Sequence, residues 1–368
     1  MERRVRLQAT PPLRTVEVGG DDASRRSRVT GHIAALVGSP PGVVLTGSCT
    51  AALEAVATVL ALRPGDEVVV PAFTFPTTAT AFLGRGASVR FADVRPDTLT
   101  IDPADVAEKV GPRTRAVVVM HYAGVGADVT GLRAAVGADV DIVEDAAHGI
   151  FGAVDGRPLG TLGRFGALSF HRTKNLSSSD GGALVVNDPD DLDRVDVAVD
   201  KGTNRVAFDQ GRTPSYEWSG PGSSARMPDP CVAVLEADLD EVGPRQRRRA
   251  EVWDRYAEAL GPWAEEAGAG LPVVPAGRQH PAHLFFVVLP RGRDRDAFVA
   301  HCRRAGVEVA RHFGSLPASA YGRGLADPAD ACPVAGDLAG RLVRLPLHHQ
   351  VSDADVDHVV EVVTAGVG

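Results

Sequence analysis

The stretch VVLTGSCTAALEAVATVLALRPGDEVVVP (43–71) joins a β-branched run to a helical segment and then to a second β-branched run. The same alternation continues to residue 187, which is typical of a sheet covered by helices. The strand pattern occurs at 43–46, 67–71, 88–93, 115–121, 140–145, 166–170 and 182–187. Helical segments at 51–62 and near 76–84, 102–110 and 129–137 are long enough to connect parallel strands. The sequence predicts an α/β fold with a mostly parallel seven-stranded sheet flanked by helices.

The pattern changes after residue 187. A helix is expected near 189–200, and an irregular Gly/Pro/Ser-rich stretch follows at 202–230. Such a long loop is usually functional or disordered. Further elements are expected as a long helical stretch from 231, HLFFVVLP (283–290), a helix near 294–305, VEVARHF (307–313) and a helix near 353–364. We therefore predict a large domain at 1–245 and a smaller C-terminal α/β domain at 246–368.

The positive charge of the chain is carried almost entirely by arginine. Of its 39 basic residues only Lys109, Lys174 and Lys201 are lysines, and the formal net charge is -8. An acidic chain without a concentrated basic face is not expected to bind nucleic acid. The one dense basic run, Arg245–Arg249, is interpreted as the solvated start of a helix, and Lys109 as part of a surface helix.

Cysteine spacing and hydropathy exclude several classes of protein. Cys49, Cys231, Cys302 and Cys332 are far apart and form no CxxC pair, so neither a disulfide framework nor a metal site is predicted. No signal-peptide pattern and no run of 18 apolar residues occurs. We expect a cytoplasmic protein.

Two segments place polar groups where a strand ends. In TGSCTAALEA (46–55) the amides of Cys49 and Thr50 open a helix and suit a phosphate, although Ser48 or Thr50 could simply cap that helix. In VDIVEDAAHG (140–149) a buried strand ends in Glu144, Asp145 and His148, at the edge where open α/β sheets bind ligands. The alternative there is a helix-capping Asp145 and a His148 satisfied within its loop.

A third segment, FGALSFHRTKNLSSSDGGALVVND (165–188), places Lys174 in a polar turn after a strand expected to be buried. Most lysines are surface residues. A phosphate-binding helix start, a carboxylate and a lysine are, however, the groups that a pyridoxal phosphate (PLP) enzyme needs. The lysine condenses with the cofactor aldehyde, which arginine cannot do, and the carboxylate keeps the ring nitrogen protonated.

The segments GSCTAAL, PGDEVVVPAFTFPTTATA, EDAAHG, GALSFHRTKNLSSSDGG and RLPL resemble the DegT-like nucleotide-sugar aminotransferases, which have the PLP-dependent transferase fold type I of aspartate aminotransferase. The resemblance extends from about residue 30 to the end. HYAGV (121–125), DKGTNR (200–205) and GSS (222–224) are most similar to the enzymes that aminate carbon 4 of a dTDP-4-keto-6-deoxyhexose.

The resemblance implies a role for individual positions. Lys174 would be the Schiff-base lysine and proton shuttle, and Asp145 the partner of the ring nitrogen. His148 would lie beside the ring hydroxyl, and Phe75 would stack on the ring unless it is an ordinary core residue. The remaining cofactor contacts would be the Cys49 and Thr50 amides, the Ser169 hydroxyl and, across a homodimer interface, Ser224. For substrate binding we expect Arg205 and Arg226 at the diphosphate, with Lys201 a weaker candidate, and His312 at the acceptor.

The sequence departs from the family pattern at some positions. Asp180 replaces the glutamate of GEGG, Ser224 stands where many members have asparagine, and HYxPLH reads HFGSLP, which keeps His312 and replaces the second histidine by Pro317. The last change affects acceptor recognition, because the cofactor residues are intact.

The implied activity is transfer of an amino group from glutamate to dTDP-4-keto-6-deoxyglucose, giving dTDP-4-amino-4,6-dideoxygalactose. Alternatives are amination at carbon 3 and a non-catalytic PLP-binding regulator of the same fold. A dehydratase is disfavoured, because relatives with that activity have histidine in place of the lysine.

Overall fold

The structure is a computed structural model that describes residues 4–9 and 22–366. Its strands are β1 (Gly42–Thr46), β2 (Glu67–Pro71), β3 (Ser88–Ala92), β4 (Thr114–Met120), β5 (Asp141–Asp145), β6 (Ala153–Val154), β7 (Arg157–Pro158), β8 (Phe165–Ser169), β9 (Gly182–Val186), β10 (Arg278–Gln279), β11 (Phe285–Val288), β12 (Ala310–Arg311) and β13 (Leu342–Leu345). Its α-helices are α1 (Asp22–Leu36), α2 (Cys49–Val59), α3 (Thr77–Leu83), α4 (Pro103–Lys109), α5 (Val129–Val136), α6 (Leu192–Val199), α7 (Arg205–Asp209), α8 (Asp229–Ala267), α9 (Arg295–Arg304), α10 (Pro333–Arg341) and α11 (Asp353–Ala365).

The seven predicted strands form one sheet in the order β1-β9-β8-β5-β4-β2-β3. The neighbours from β8 to β3 pair in parallel, whereas β9 runs antiparallel to both β1 and β8. The prediction of a mostly parallel seven-stranded sheet is confirmed. Parallel pairing brings the carboxyl ends of β4, β5 and β8 to one edge.

Burial on both faces explains the continuous β-branched runs of the central strands. Val68 and Val70 of β2 pack on one side of the sheet in a cluster with residues of α2 and α3. Val69, between them, packs on the other side with residues of α4 and α5. The alternation follows from the two-residue period of a strand.

A second, antiparallel sheet of order β11-β13-β12 lies in the C-terminal part of the chain. It shares an apolar cluster with α9, α11 and the later turns of α8, from Val252 onward. The 39-residue helix α8 runs without a break through residue 246. The domain boundary placed there stays a prediction.

The structure differs from the sequence-based expectations at several elements. VEVARHF contributes only the two-residue strand β12, and α1, α10 and β13 were not predicted. The run Arg245–Arg249 lies inside α8, not at a helix start, and Arg249 is buried, so its interpretation as a solvated run was wrong. Lys109 is also buried, with its ammonium 2.7 Å from Asp105 Oδ1. Among the described residues no helix is long and apolar enough to cross a membrane.

Candidate active site

The start of α2 presents free backbone amides. Ser48 is the N-cap, and its Oγ accepts from Ala51 N at 3.0 Å, which confirms the capping interpretation of Ser48. The amides of Cys49 and Thr50 have no acceptor within the helix, because the first turn of a helix lacks preceding carbonyls. Gly182 of β9 allows the close approach, since a Cβ there would lie 2.5 Å from Cys49 N. These amides form a cradle suited to an anion.

Asp145 ends β5 with a buried carboxylate next to this cradle. Its Oδ2 accepts from Thr78 Oγ1 at 2.7 Å, and its Oδ1 accepts from Ala147 N at 3.1 Å. The Cys49 thiol also points at Oδ1, with Sγ 3.9 Å away. The Thr78 hydroxyl, the Ala147 amide and the Cys49 thiol therefore orient the Asp145 carboxylate beside the start of α2.

Glu144 does not belong to the site, and its expected position there was wrong. Successive strand residues point to opposite faces, so Glu144 lies on the other side of β5 from Asp145. It is fully buried, 2.8 Å from His121 Nε2, and accepts from the amides of Leu162 and Gly163 at 2.6 Å and from Gly160 at 2.8 Å. Glu144 organises the loop after β7.

Lys174 lies in the turn that follows β8, close to Asp145 and Cys49. Burial lowers the pKa of its ammonium to about 8, against the opposing influence of Cys49 and Asp145, and the positive charge of Arg344 lowers it further. A lysine with this pKa has a substantial neutral fraction near physiological pH, unlike a surface lysine. Lys174 is only partly exposed and is followed by the buried Asn175 and Leu176, which counts against its interpretation as a surface residue.

A cavity of about 480 Å³ opens beside Lys174. Among the residues that line it are His148, His283, His312 and Arg344. Burial first, and then the positive charges of Lys174 and Arg344, hold the pKa values of the three imidazoles well below their usual range. The site thus combines the permanent positive charge of Arg344 with three neutral histidines.

His148 has a buried ring nitrogen without a partner. Its Nδ1 makes no hydrogen bond among the described residues, and its ring stacks on His283 with centroids 4.1 Å apart. A buried nitrogen left open in this way suits a ligand that supplies the missing partner. This observation counts against a His148 that is satisfied within its own loop.

His312 lies where the resemblance puts an acceptor-binding residue. Its Nδ1 is 2.8 Å from the hydroxyl of Tyr122, which is fully buried. Burial raises the pKa of that hydroxyl, so it stays protonated. Tyr122 therefore fixes the ring of His312 at the cavity wall.

Phe75 and Ser169 differ in exposure. Phe75 is 53% exposed in the turn before α3, whereas its neighbour Phe73 is fully buried, so Phe75 is not a core residue. Ser169 is buried at the end of β8, and its Oγ accepts from His171 N at 3.4 Å. Both positions leave groups available to a ligand.

Of the predicted site residues, His148, Lys174 and His312 line this cavity, whereas the others do not: Cys49, Thr50, Phe75, Asp145, Ser169, Arg205, Ser224 and Arg226. Arg205 is exposed and paired with Asp209 at 2.7 Å. Arg226 is paired with Asp196 and Asp200, each at 3.1 Å. Ser224 is exposed and bridges by its backbone to Asp200. Within one chain these three residues do not reach the cavity, although Arg226 bridges by its backbone to Thr46, just before the start of α2.

His283, Arg344 and Asn175 were not predicted as site residues. Arg344 is the most informative, because its Nε is buried without a partner and no carboxylate of the described chain pairs with its guanidinium. The segment RLPL signalled that the region matters but not that this arginine reaches Lys174. The two histidines of HPAH (280–283) have different surroundings. His283 lines the cavity, whereas the ring of His280 packs on the ring of Trp253 with centroids 4.2 Å apart.

A seven-stranded sheet with Asp145, Lys174 and a phosphate cradle at one edge defines the fold type I class of PLP-dependent transferases. Within this class the chain belongs to the DegT/DnrJ/EryC1/StrS aminotransferase family, which matches residues 25–364. It is therefore an aminotransferase, and its cofactor is PLP.

Individual relatives agree with this assignment. The spore coat polysaccharide biosynthesis protein SpsC of Bacillus subtilis is 31% identical over 341 residues, covering 90% of this chain and 87% of SpsC. The aminotransferase TlmJ of Streptoalloteichus hindustanus has a TM-score of 0.84 and 29% identity, with 99% of each chain covered. The sugar aminotransferase CalS13 of Micromonospora echinospora has a TM-score of 0.83 and 27% identity, covering 96% of this chain and 99% of CalS13.

The residues present fit the cofactor. The unpartnered His148 Nδ1 provides a buried polar atom for its ring, and the close approach at Gly182 leaves a cradle at the Cys49 and Thr50 amides for its phosphate. Asp145 supplies the buried anion that a protonated ring nitrogen requires.

Proposed function

We propose that this enzyme moves the amino group of L-glutamate to dTDP-4-keto-6-deoxyglucose, giving dTDP-4-amino-4,6-dideoxygalactose for deoxyaminosugar biosynthesis. The observation that carries the proposal is the convergence of Asp145, His148 and Lys174 at one sheet edge, beside a cavity large enough for a small substrate. Two relatives are named for polysaccharide biosynthesis and sugar amination, which supports a sugar acceptor. The dTDP group and carbon 4 rest on HYAGV, DKGTNR and GSS.

Each site residue has a proposed task in the reaction. PLP, when bound, supplies the electron sink that lets a proton leave the carbon bearing the amino group. Asp145 holds a positive charge at the ring nitrogen, and the Cys49 and Thr50 amides with Ser169 bind the phosphate. His148 contacts the ring hydroxyl, and Phe75 covers the ring face. Lys174 Nζ takes the proton from the substrate carbon and returns it, which its lowered pKa allows.

Arg344 is our candidate for a donor carboxylate. Its Nε is buried without a hydrogen-bond partner and its guanidinium meets no carboxylate among the described residues, so a substrate anion would supply the missing partner. An Arg344→Gln variant should raise the KM for glutamate by about 10- to 100-fold, as expected for a lost charged hydrogen bond. The KM for the keto sugar should stay near the wild-type value, and an unchanged KM for glutamate would remove Arg344 from the donor site.

The diphosphate of the acceptor is assigned to Arg205 and Arg226, with Lys201 beside them. Both arginines are ion-paired to aspartates of their own chain, so binding must exchange those partners for phosphate oxygens. Because they and Ser224 do not line the cavity of the same chain, we propose a homodimer in which they complete the partner's site. Unchanged affinity for the sugar nucleotide in Arg205→Ala would remove Arg205 from this set.

The test is a two-stage assay of the purified protein loaded with PLP. Glutamate should bleach the visible absorbance of the bound cofactor and release 2-oxoglutarate. A panel of dTDP-linked 3-keto and 4-keto sugars then identifies the acceptor, with the product analysed by mass spectrometry and NMR. Lys174→Arg should lower turnover by at least about 100-fold, since arginine is never a neutral base. Amination at carbon 3, or near-normal turnover by Lys174→Arg, would contradict the proposal.

A further inference from the structure

The direction of each hydrogen bond in a network beside Lys174 follows from one backbone carbonyl. Pro281 O can only accept, and it accepts from Gln246 Nε2 at 2.6 Å and from Asn175 Nδ2 at 2.7 Å. Gln246 Oε1 in turn accepts from Asn175 Nδ2 at 2.9 Å. Asn175 Oδ1 is thereby left as an acceptor, and its partner is His283 Nδ1 at 2.7 Å. His283 must carry its proton on Nδ1.

The backbone and the ring of His283 are both held in place. The buried guanidinium of Arg249 donates through Nε to Ala282 O at 3.1 Å and through Nη2 to His283 O. The ring stacks on His148 with 26° between the ring planes. Asn175 itself is buried directly after Lys174 in the chain. The imidazole therefore has a fixed position and a fixed tautomer.

The Nε2 atom of His283 has no hydrogen-bond partner among the described residues, and several hydrogen-bond donors line the same cavity. His283 and Lys174 line the same cavity. The groups that face the ring are Lys174 from its turn, Arg344 from β13, Arg249 from α8, and the neutral rings of His148 and His312. The other ionisable groups of α8 at this cavity, Asp238 and Arg245, pair with each other at 2.9 Å. Burial, and then these cations, hold the pKa of His283 well below its usual value, so its Nε2 stays an acceptor.

We propose that Asn175 and His283 are positioning residues for Lys174: Asn175 fixes the His283 tautomer, and the bare Nε2 accepts a hydrogen bond from the Lys174 amine. The pair holds the amine in place whenever it is released from the cofactor. Under the function proposed above, the Lys174 amine must be free for part of each cycle, when it can donate to this atom. No covalent bond changes in this contact, since the proton stays on Lys174.

The tautomer can be tested without any reaction. In full-length protein with 15N-labelled histidine, we expect one ring with a protonated Nδ1 and an unprotonated Nε2 from about pH 6 to about pH 9, where an ordinary histidine titrates or exchanges tautomers. Its signals should disappear in His283→Gln, which assigns them. A ring protonated on Nε2 at this position would overturn the proposal. Asn175→Leu removes the anchoring oxygen and should give a mixture of tautomers, and an unchanged tautomer there would count equally against it.

The contact with Lys174 is tested by the pH dependence of its reaction with an amine-specific reagent, followed by mass spectrometry of cofactor-free full-length protein. An acceptor stabilises the ammonium, so its removal in His283→Leu should lower the midpoint of the Lys174 reaction by about one pH unit. His283→Gln keeps an acceptor oxygen and should restore most of the shift. His280→Leu is the matched control on the same segment and should leave the midpoint unchanged.

An unchanged midpoint in His283→Leu overturns the proposal, and an equal shift in the Leu and Gln variants does so as well, because it indicates lost packing. If His283→Leu does not fold, Asn175→Leu serves in its place. We then expect a smaller downward shift of the Lys174 midpoint, and the absence of any shift would overturn the proposed contact. These measurements need no amino donor or sugar. A wild-type protein that aminates nothing would therefore refute the proposed function and leave the pair to be decided by the histidine spectra and the lysine titration.

Discussion

The close approach of Gly182 to the start of α2 leads to a prediction about cofactor binding. Gly182→Ala would place a Cβ 2.5 Å from Cys49 N and 2.6 Å from both Ser48 C and Leu168 O. Ordinary contact begins at 3.4 Å, so β9 and the helix start must separate by about 0.9 Å. All three neighbours are backbone atoms of a strand and a helix, so no side-chain rotation can relieve the clash.

Two consequences of this separation can be estimated. Overpacking of a well-ordered interior costs about 1–3 kcal/mol of the free energy of unfolding. Displacement of the Cys49 and Thr50 amides weakens charged hydrogen bonds to the phosphate, which corresponds to about 10- to 100-fold in cofactor affinity. Affinity is measured by titrating PLP into cofactor-free protein and following the visible absorbance, and stability by urea unfolding of the same preparation.

The matched control is Gly340→Ala, in the interior of α10. A Cβ there meets nothing within 4 Å, and alanine is the better helix former. We expect unchanged cofactor affinity and equal or slightly greater stability in this variant. If Gly182→Ala bound PLP with wild-type affinity, the reasoning that places the phosphate at the start of α2 would be refuted.

Three further predictions concern charged groups. The rate at which cofactor-free protein captures PLP should rise with pH through about 8, because only neutral Lys174 reacts with the aldehyde. Stopped-flow absorbance measures this rate. A midpoint near 10, as for a free lysine, would contradict the prediction. Asp330→Ala removes both acceptor oxygens of the bidentate pair with Arg90, and urea unfolding should show that the free energy of unfolding falls by about 3 kcal/mol. A decrease below about 1 kcal/mol would show that water replaces the carboxylate. Glu144→Gln should likewise destabilise the protein, since one acceptor oxygen is lost to the loop amides and His121, yet PLP affinity should change little; a large loss of affinity would return Glu144 to the site.

The sheet could be predicted because its signal is local. Strands such as β2 and β4 are short β-branched runs next to a Gly, Pro or polar turn, and burial on both faces makes such runs continuous. The same period could also have separated Glu144 from Asp145, since adjacent strand residues face opposite sides. Asp145 and Lys174 could be proposed as site residues because Asp145 ends one strand, Lys174 follows the end of its neighbour, and both strand ends meet at one edge.

What could not be predicted depends on contacts between distant segments. His283 and Arg344 lie more than a hundred residues beyond Lys174, and nothing near them in sequence distinguishes a buried arginine from a surface one. Arg249 was misplaced for a related reason: its guanidinium bonds to the carbonyls of Ala282 and His283, which lie 33 and 34 residues further along the chain. In this chain, whether an arginine is buried or exposed depends on the distant residues that it contacts in the folded structure.

The antiparallel strand β9 has a consequence for the order of events during synthesis. At its end of the sheet β1 neighbours β9 and no other described strand, and Thr46 pairs with Gly182. The start of α2 therefore lacks its support until the ribosome has released residues far downstream, and such long-range pairing is slow to form. Under the proposed binding of the phosphate at the start of α2, a chain whose sheet has not closed lacks part of the cofactor site, and PLP stabilises the native state by binding it selectively. Cofactor uptake should thus mark the completion of folding in newly made protein.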